Sequence, residues 1–237
     1  METLRLGGDE FRAELEIEED FGDLSRWTAL EDHGRWDVRG GGLVGEWLEA
    51  SPSLFLSEPV EGDYLWTIRA GRVRPGADFL ERFEASKHGR GTDPFCNYNF
   101  NFWLRADTPG VPGEAGGAGF LEEYPKRLGT GWNGMGDDHW RSLYATVVRT
   151  SDENWVRLRR SPGYVKVAEA RDAIGQLDYD RAHEFAFALE GGRARMYFDG
   201  TRVFDYTDPD PHARGHIGLC VWLCVMRFER MRLYRFA

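Results

Sequence analysis

The chain has only three cysteines in 237 residues, so they cannot all pair. Cys220 and Cys224 stand four apart in an expected strand, about 13 Å of rise, which is too far for a bridge. Free thiols in a reducing cytoplasm are the expectation. No apolar run approaches membrane-spanning length. The opening METLRLGGDEF lacks the charged-then-apolar order of a secretory leader. No membrane partner is expected. An excess of basic residues is also missing. A net charge of -10 argues against a nucleic-acid partner, because binding phosphates takes a concentrated basic surface. It leaves room for a neutral sugar or a locally recognised anionic one. There is no His-x-x-x-His, no cysteine pair at zinc spacing and no EF-hand loop. GxGxxG does not precede a helix, and GTGWNG lies in the wrong context. No cofactor is therefore expected.

Apolar residues make up 41% of the chain, enough for a full core, and aromatics 14%. The nine tryptophans are too many to be all core, since Trp is rarely buried completely. Glycine and proline punctuate short apolar or alternating runs, while helical periodicity is scarce, which predicts many strands joined by turns. Strands are expected over 13–20, 34–38, 43–48, 53–57, 63–70, 79–86, 97–105, 141–150, 154–159, 164–168, 183–190, 194–199, 202–206, 215–224 and 226–236. Residues 171–175 read as a short helical turn. Sandwiches of this length are commonly single domains, so one domain over 1–237 is expected. The segment 107–139 is rich in Gly and Pro, and so long a connection suggests a functional loop.

One stretch, CNYNFNFWLRAD from Cys96 to Asp107, has two sharply different faces. Tyr98, Phe100, Phe102 and Leu104 fall on one side of a period-two pattern; Asn97, Asn99, Asn101, Trp103 and Arg105 fall on the other. Amides can satisfy paired hydroxyls and an indole offers a flat apolar platform, a combination that suits a sugar ring. The plainer alternative is a solvent-facing strand, but Asn is depleted in strands.

The opening FGDLSRW, GRWDV and Gly-Gly-Leu, with the closing RARMYFDGTRVFDYTD, GHIGLCVW and MRFERMRLYRF, resembles the concanavalin A-like (laminin-G-like) jelly roll. That implies an all-β antiparallel sandwich with a concave face. In the middle, NFNFWLRAD, DDHWRSLYATVVRT and RLRRSPGY resemble the uncharacterised YesU-like proteins linked to rhamnogalacturonan use. This narrower likeness covers about 97–168 and brings no settled catalytic motif. Fold alone does not decide activity. A structural calcium held by Asp and backbone carbonyls would suit such a fold, but no ligand set stands out.

On this fold, Ile217, Leu219, Val221 and Leu223 are expected inward, with His216, Cys220 and Trp222 outward. The Asn99, Asn101 and Trp103 face is expected to share the concave sheet with Trp222. Over 79–86, read as a strand, Phe83 and Ala85 point inward and Arg82, Glu84 and Ser86 outward. The phase of 141–149 is ambiguous, and Tyr144 is taken as groove-facing. Asp137, Asp138, His139 and Arg141 precede or open that strand. A β-elimination on a uronide would need a base and a carboxylate neutraliser, for which His139 and Arg141 are the right types. A hydrolase would need two carboxylates roughly 5–10 Å apart, and Glu84 with Asp137 or Asp138 is the available pairing. Each candidate has a duller reading. Asp137-Asp138 can simply cap a turn, His139 can satisfy a loop backbone group, and the two tryptophans can pack under the long loop. Glu14-Leu15-Glu16-Ile17-Glu18-Glu19 approximates the E-x-D-x-x-E signature of jelly-roll glucanases, with Glu for the central Asp. It reads better as an acidic edge strand.

The leading expectation is a cytoplasmic saccharide-processing protein, a glycoside hydrolase or lyase acting on plant-wall oligosaccharides. A non-catalytic carbohydrate-binding or lectin-like module would use the same amides and aromatics. A protein-interaction sandwich is the third reading, and exposed edge strands would allow a homodimer.

Overall fold

Alternating residues become paired strands throughout a computed structural model that describes residues 1–30, 34–48, 52–86, 89, 92–106, 141–161 and 165–237. In chain order the strands open with β1 (Glu2–Leu6), β2 (Asp9–Glu19), β3 (Trp27–Leu30), β4 (Gly34–Val38), β5 (Leu43–Trp47), β6 (Ser53–Leu56), β7 (Val60–Glu61) and β8 (Tyr64–Arg72). A helix, α1 (Ala77–Ala85), then leads to β9 (Tyr98–Ala106), β10 (Ser142–Arg149), β11 (Asn154–Ser161) and β12 (Val165–Arg171). The chain closes with β13 (His183–Glu190), β14 (Arg193–Phe198), β15 (Thr201–Thr207), β16 (Arg214–Trp222) and β17 (Val225–Phe236).

These strands form two antiparallel sheets. The first runs β1-β2-β17-β8-β13-β14-β15, with β5 also on β17 and β4 on β5. The second runs β12-β11-β10-β9-β16-β6-β3, with β7 on β16. Period-two alternation sends Tyr64, Trp66, Ile68, Phe185 and Phe187 inward from the first sheet, and Phe100, Phe102, Leu104, Ile217, Leu219 and Val221 from the second. The layers meet through Phe102, whose ring lies 5.8 Å from Trp66 and 4.9 Å from Phe187. Each such fully buried ring contributes about 1.5–3 kcal/mol.

Several expectations need correcting. Residues 79–86 are not a strand but most of helix α1. Phe79 and Phe83 are buried on one helical face, and four residues apart fits a period of 3.6 as well as 2. Ala85 is exposed rather than inward. No helix forms at 171–175, where β12 ends and Asp172 takes a positive φ of 54°. Leu223 sits in the turn between β16 and β17 at φ 53° and leaves the inward row. The acidic segment 14–19 belongs to the second strand rather than the first. It pairs with β17, while β1 pairs only with residues 9–13, so one side of 14–19 has no strand partner among the described residues. Glu18 accepts from Arg230 and Arg232 across that pairing. The long segment expected at 107–139 lies outside the described residues.

The outward face of the first sheet is covered by the chain itself. Gly7 and Gly8, at φ 54° and 87°, turn the β1–β2 hairpin over it. A Cβ on Gly7 would come within 3.0 Å of Arg202 and Tyr197, so glycine is required there. Asp9 accepts a 2.6 Å hydrogen bond from the Tyr197 hydroxyl. Arg195 lies over the Phe11 ring, 4.8 Å from its centroid.

Candidate functional site

The outward face of the second sheet carries the polar row expected from β9. Its register sets Asn99 opposite Trp222 and Val148, and Asn101 opposite Cys220 and Thr146. Trp103 stands opposite Tyr144 and Gly218. Asn99, Asn101, Trp103, Tyr144 and Trp222 thus share one face, and Leu143, Ala145 and Val147 take the inward row of β10. A Cβ on Gly218 would meet the Phe55 ring at 2.6 Å, so its absence lets that ring reach Trp103, 5.8 Å away. Tyr144 completes the cluster at 4.7 Å.

That face is not the open platform expected. Trp103 and Tyr144 are fully buried and Asn101 is 1% exposed, so a sugar could not stack on the indole or reach the Asn101 amide. Asn99 is half-buried, and its Oδ1, like Thr146 Oγ1, is buried without a hydrogen-bond partner. Trp222 belongs elsewhere. Its ring stands 5.9 Å from Trp47 in an apolar cluster with Phe79 and Phe83 of α1. At the margin, Arg157 lies over Trp155, and Glu169 accepts from Arg157 at 2.5 Å, Arg171 at 3.0 Å and Lys166 at 3.1 Å. The hydrogen bonds from Arg157 and Lys166 hold the Glu169 carboxyl at about 2. A carboxylate so firmly ionised is unsuited to general acid work.

Of the expected catalytic residues, the two that are described, Glu84 and Arg141, stand apart. Glu84 is exposed on α1, which packs beside Trp222 at the last residue of β16. Arg141 precedes Ser142, which pairs with Ala106, itself paired with His216 near the first residues of β16. About 20 Å of strand separates His216 from Trp222, so Glu84 and Arg141 cannot serve one bond. Arg141 is also ion-paired with Asp210 at 2.9 Å. His139, with Asp137 and Asp138, lies outside the described residues. Among the described residues no group of three or more His, Cys, Asp or Glu side chains is placed to hold a metal ion.

At the Arg141 end, a cleft of about 540 Å³ opens between turns. Glu61, Gly62 and Asp63 form one wall, Gly191 and Gly192 another, and 211–214 the third, with Arg105 among the lining groups. Asp63 accepts from the Gly191 amide at 3.0 Å, and the Gly62 amide donates to the Ala213 carbonyl at 3.0 Å. Those two bonds fix the turns against each other. Gly192 has φ 85°, and a Cβ there would press on Pro211 at 3.0 Å. Arg105 is 6% exposed and donates from Nη2 to the Gly62 carbonyl. Its guanidinium lies 5.4 Å from the centroid of Tyr64, whose hydroxyl donates to the Leu104 carbonyl. Gly215 lets β16 pass close, since a Cβ there would stand 3.1 Å from Arg105 Cα. Such a volume accommodates a small ligand. Among the described residues no Phe, Tyr or Trp ring lines it, and those residues offer hydrogen bonds and charge.

Arg105 was not among the expected site residues. Parity groups it with Asn97, Asn99, Asn101 and Trp103, but a register shift sets it opposite Leu143 of the inward row and over Tyr64, so alternation alone did not signal its place.

No protein-family model matches the sequence, and no match is found among curated proteins. Solved structures do match. A Bacillus subtilis protein of unknown function with a galectin-like fold superposes with TM-score 0.65 at 11% identity, covering 94% of this chain and 97% of its own. The fold is a concanavalin A-like jelly roll. The carbohydrate-binding module CBM66 from Bacillus subtilis superposes with TM-score 0.54 at 15% identity, covering 87% of this chain and 94% of its own. A Bacillus licheniformis β-glucanase gives 0.56 at 11%, covering 93% of this chain and 98% of its own. Identities this low establish the jelly roll and leave activity to the residues.

Proposed function

We propose that the protein binds saccharides in the cleft at the Arg105 end of the sandwich, as a non-catalytic module. The observation that carries this is the cleft itself, an open concavity of about 540 Å³ walled by turn backbone and by donors and acceptors of both charges. Paired hydroxyls of a sugar match such a lining. Neighbours on the same fold, described as a carbohydrate-binding module and a β-glucanase, support the ligand class. Binding without cleavage is favoured by the two carboxylates that line the cleft among the described residues, both already engaged. Glu61 pairs with Arg214 at 3.3 Å and Asp63 holds the Gly191 amide.

The narrower part of the proposal follows the likeness to YesU-like proteins: plant-wall oligosaccharides as ligands, met in the cytoplasm. Three free thiols at Cys96, Cys220 and Cys224 suit a reducing compartment. A second reading, hydrolysis or β-elimination, is favoured by Arg141 standing at the cleft end. Calorimetry against a panel of pectic and hemicellulosic oligosaccharides, with parallel assays for new reducing ends and unsaturated uronides, separates them. Saccharide binding that weakens in Arg214→Ala, with no bond cleavage, is the expected result. Turnover would favour the second reading, and no binding by any saccharide would overturn both.

A further inference from the structure

Three of the four buried arginines among the described residues, Arg72, Arg105 and Arg195, differ in how their charge is met. Arg72, 4% exposed, donates to the carbonyls of Phe95, Pro94 and Asn97 and faces the rings of Tyr98 and Tyr179. Arg195, 5% exposed, pairs with Glu190 at 2.6 Å and Asp9 at 3.5 Å. Arg105 is as deeply placed, yet it meets the Gly62 carbonyl and the Tyr64 side chain without a carboxylate, and its Nε, like that of Arg195, is buried with no acceptor. No carboxylate among the described residues pairs with it. The other cations around the cleft are matched: Arg214 by Glu61, and Arg193 by Asp205 at 2.5 Å. Buried charges are ordinarily paired, so an unmatched guanidinium facing an open cleft calls for an external anion. A neighbouring cavity of about 20 Å³, also lined by Arg105, has room for one water. Water could satisfy a donor there but would supply no counter-charge.

We propose that Arg105 anchors the carboxylate of a small hydroxylated ligand, which makes a sugar acid the preferred occupant of the cleft. The guanidinium fork fits a planar carboxylate through two parallel hydrogen bonds. Glu61 and Asp63 line the same cleft and repel a phosphate dianion more than a singly charged carboxylate. This rests on the saccharide reading for the sugar ring, whereas the carboxylate contact stands on the geometry of Arg105.

The test is calorimetric titration of the full chain with D-glucuronate, D-glucose and inorganic phosphate. Glucuronate is expected to bind at least tenfold more tightly than glucose and to resist displacement by equimolar phosphate. Arg105→Gln is expected to erase that preference. Ala213→Glu, on the exposed cleft wall, would place a competing carboxylate there and erase it without touching the buried arginine, so the proposal stays falsifiable if the first variant fails to fold. Equal binding of the two sugars, tighter binding of phosphate, or a preference surviving in either variant would overturn it. Neutral oligosaccharide binding without glucuronate preference would sink this inference and leave the saccharide reading standing. Glucuronate preference with no oligosaccharide binding would do the reverse.

Discussion

The two ends of β9 solve opposite problems. Near Asn99 the sandwich is closed by aromatic packing: Trp47, Trp222, Phe79 and Phe83 form one cluster, with Trp47 6.3 Å from Phe79 and Phe79 5.8 Å from Phe83. The charge at that end is matched. Glu46, 6% exposed, accepts from Arg82 at 2.5 Å and Arg35 at 2.6 Å. Near Arg105 the sandwich is closed by glycine turns rather than rings, and the result is a cleft with an unmatched guanidinium. A closed end packed with rings stabilises the fold. An open end with a charge left over is where a ligand gains most.

Truncation at the two ends should therefore behave differently. The largest effect is expected from Phe83→Ala, which removes a ring from the closed cluster and should cost about 3–5 kcal/mol in urea unfolding while leaving cleft affinity unchanged. An equal loss of ligand affinity would mean that the ends are not separate. Glu46→Gln should cost about 2 kcal/mol in the same assay, because Arg35 and Arg82 lose a shared carboxylate. Arg105→Met sharpens the contrast most. Replacing an unmatched buried charge with an apolar side chain should move stability by less than about 1 kcal/mol in either direction. A loss matching Glu46→Gln would instead make Arg105 a structural residue.

The smallest effect concerns pH. Glu169 is held at about 2 against an ordinary 4.5, so its folded form binds its proton less readily than the unfolded chain does. Its stabilising contribution is complete above about pH 5 and is lost as pH falls from there toward 2. Acid unfolding curves of Glu169→Gln should be flatter than wild type over that interval and parallel to it near neutrality. Identical slopes would show that the cluster at the β11–β12 margin does not couple to folding.

Much of the sandwich was legible because strand alternation has a period of two and leaves its mark on every run. The outward row of β9 and its meeting with Tyr144 could be read that way, since facing follows from parity. Helix α1 was missed because Phe79 and Phe83, four apart, satisfy both periods, and the helix-forming run DFLERFEA was the better guide. Hairpin β1–β2 was only half seen because Glu2–Leu6 is too short and polar to stand out. Burial of Trp103 was weighed only as the duller alternative, since parity says which face a residue takes and nothing of what lies over it. The isolation of Arg105 was hidden for a related reason. Its hydrogen-bond acceptor, Gly62, is 43 residues away, and pairing at such range is a property of the fold.

The most direct test of the account is hydrogen exchange with and without a saturating oligosaccharide from the panel. Slowed exchange at 60–64, 190–193 and 211–215, with 77–86 and 222–226 unchanged, is the predicted footprint. Protection confined to α1 and the β16–β17 turn, or spread evenly over the chain, would contradict the placement of the ligand at the Arg105 end.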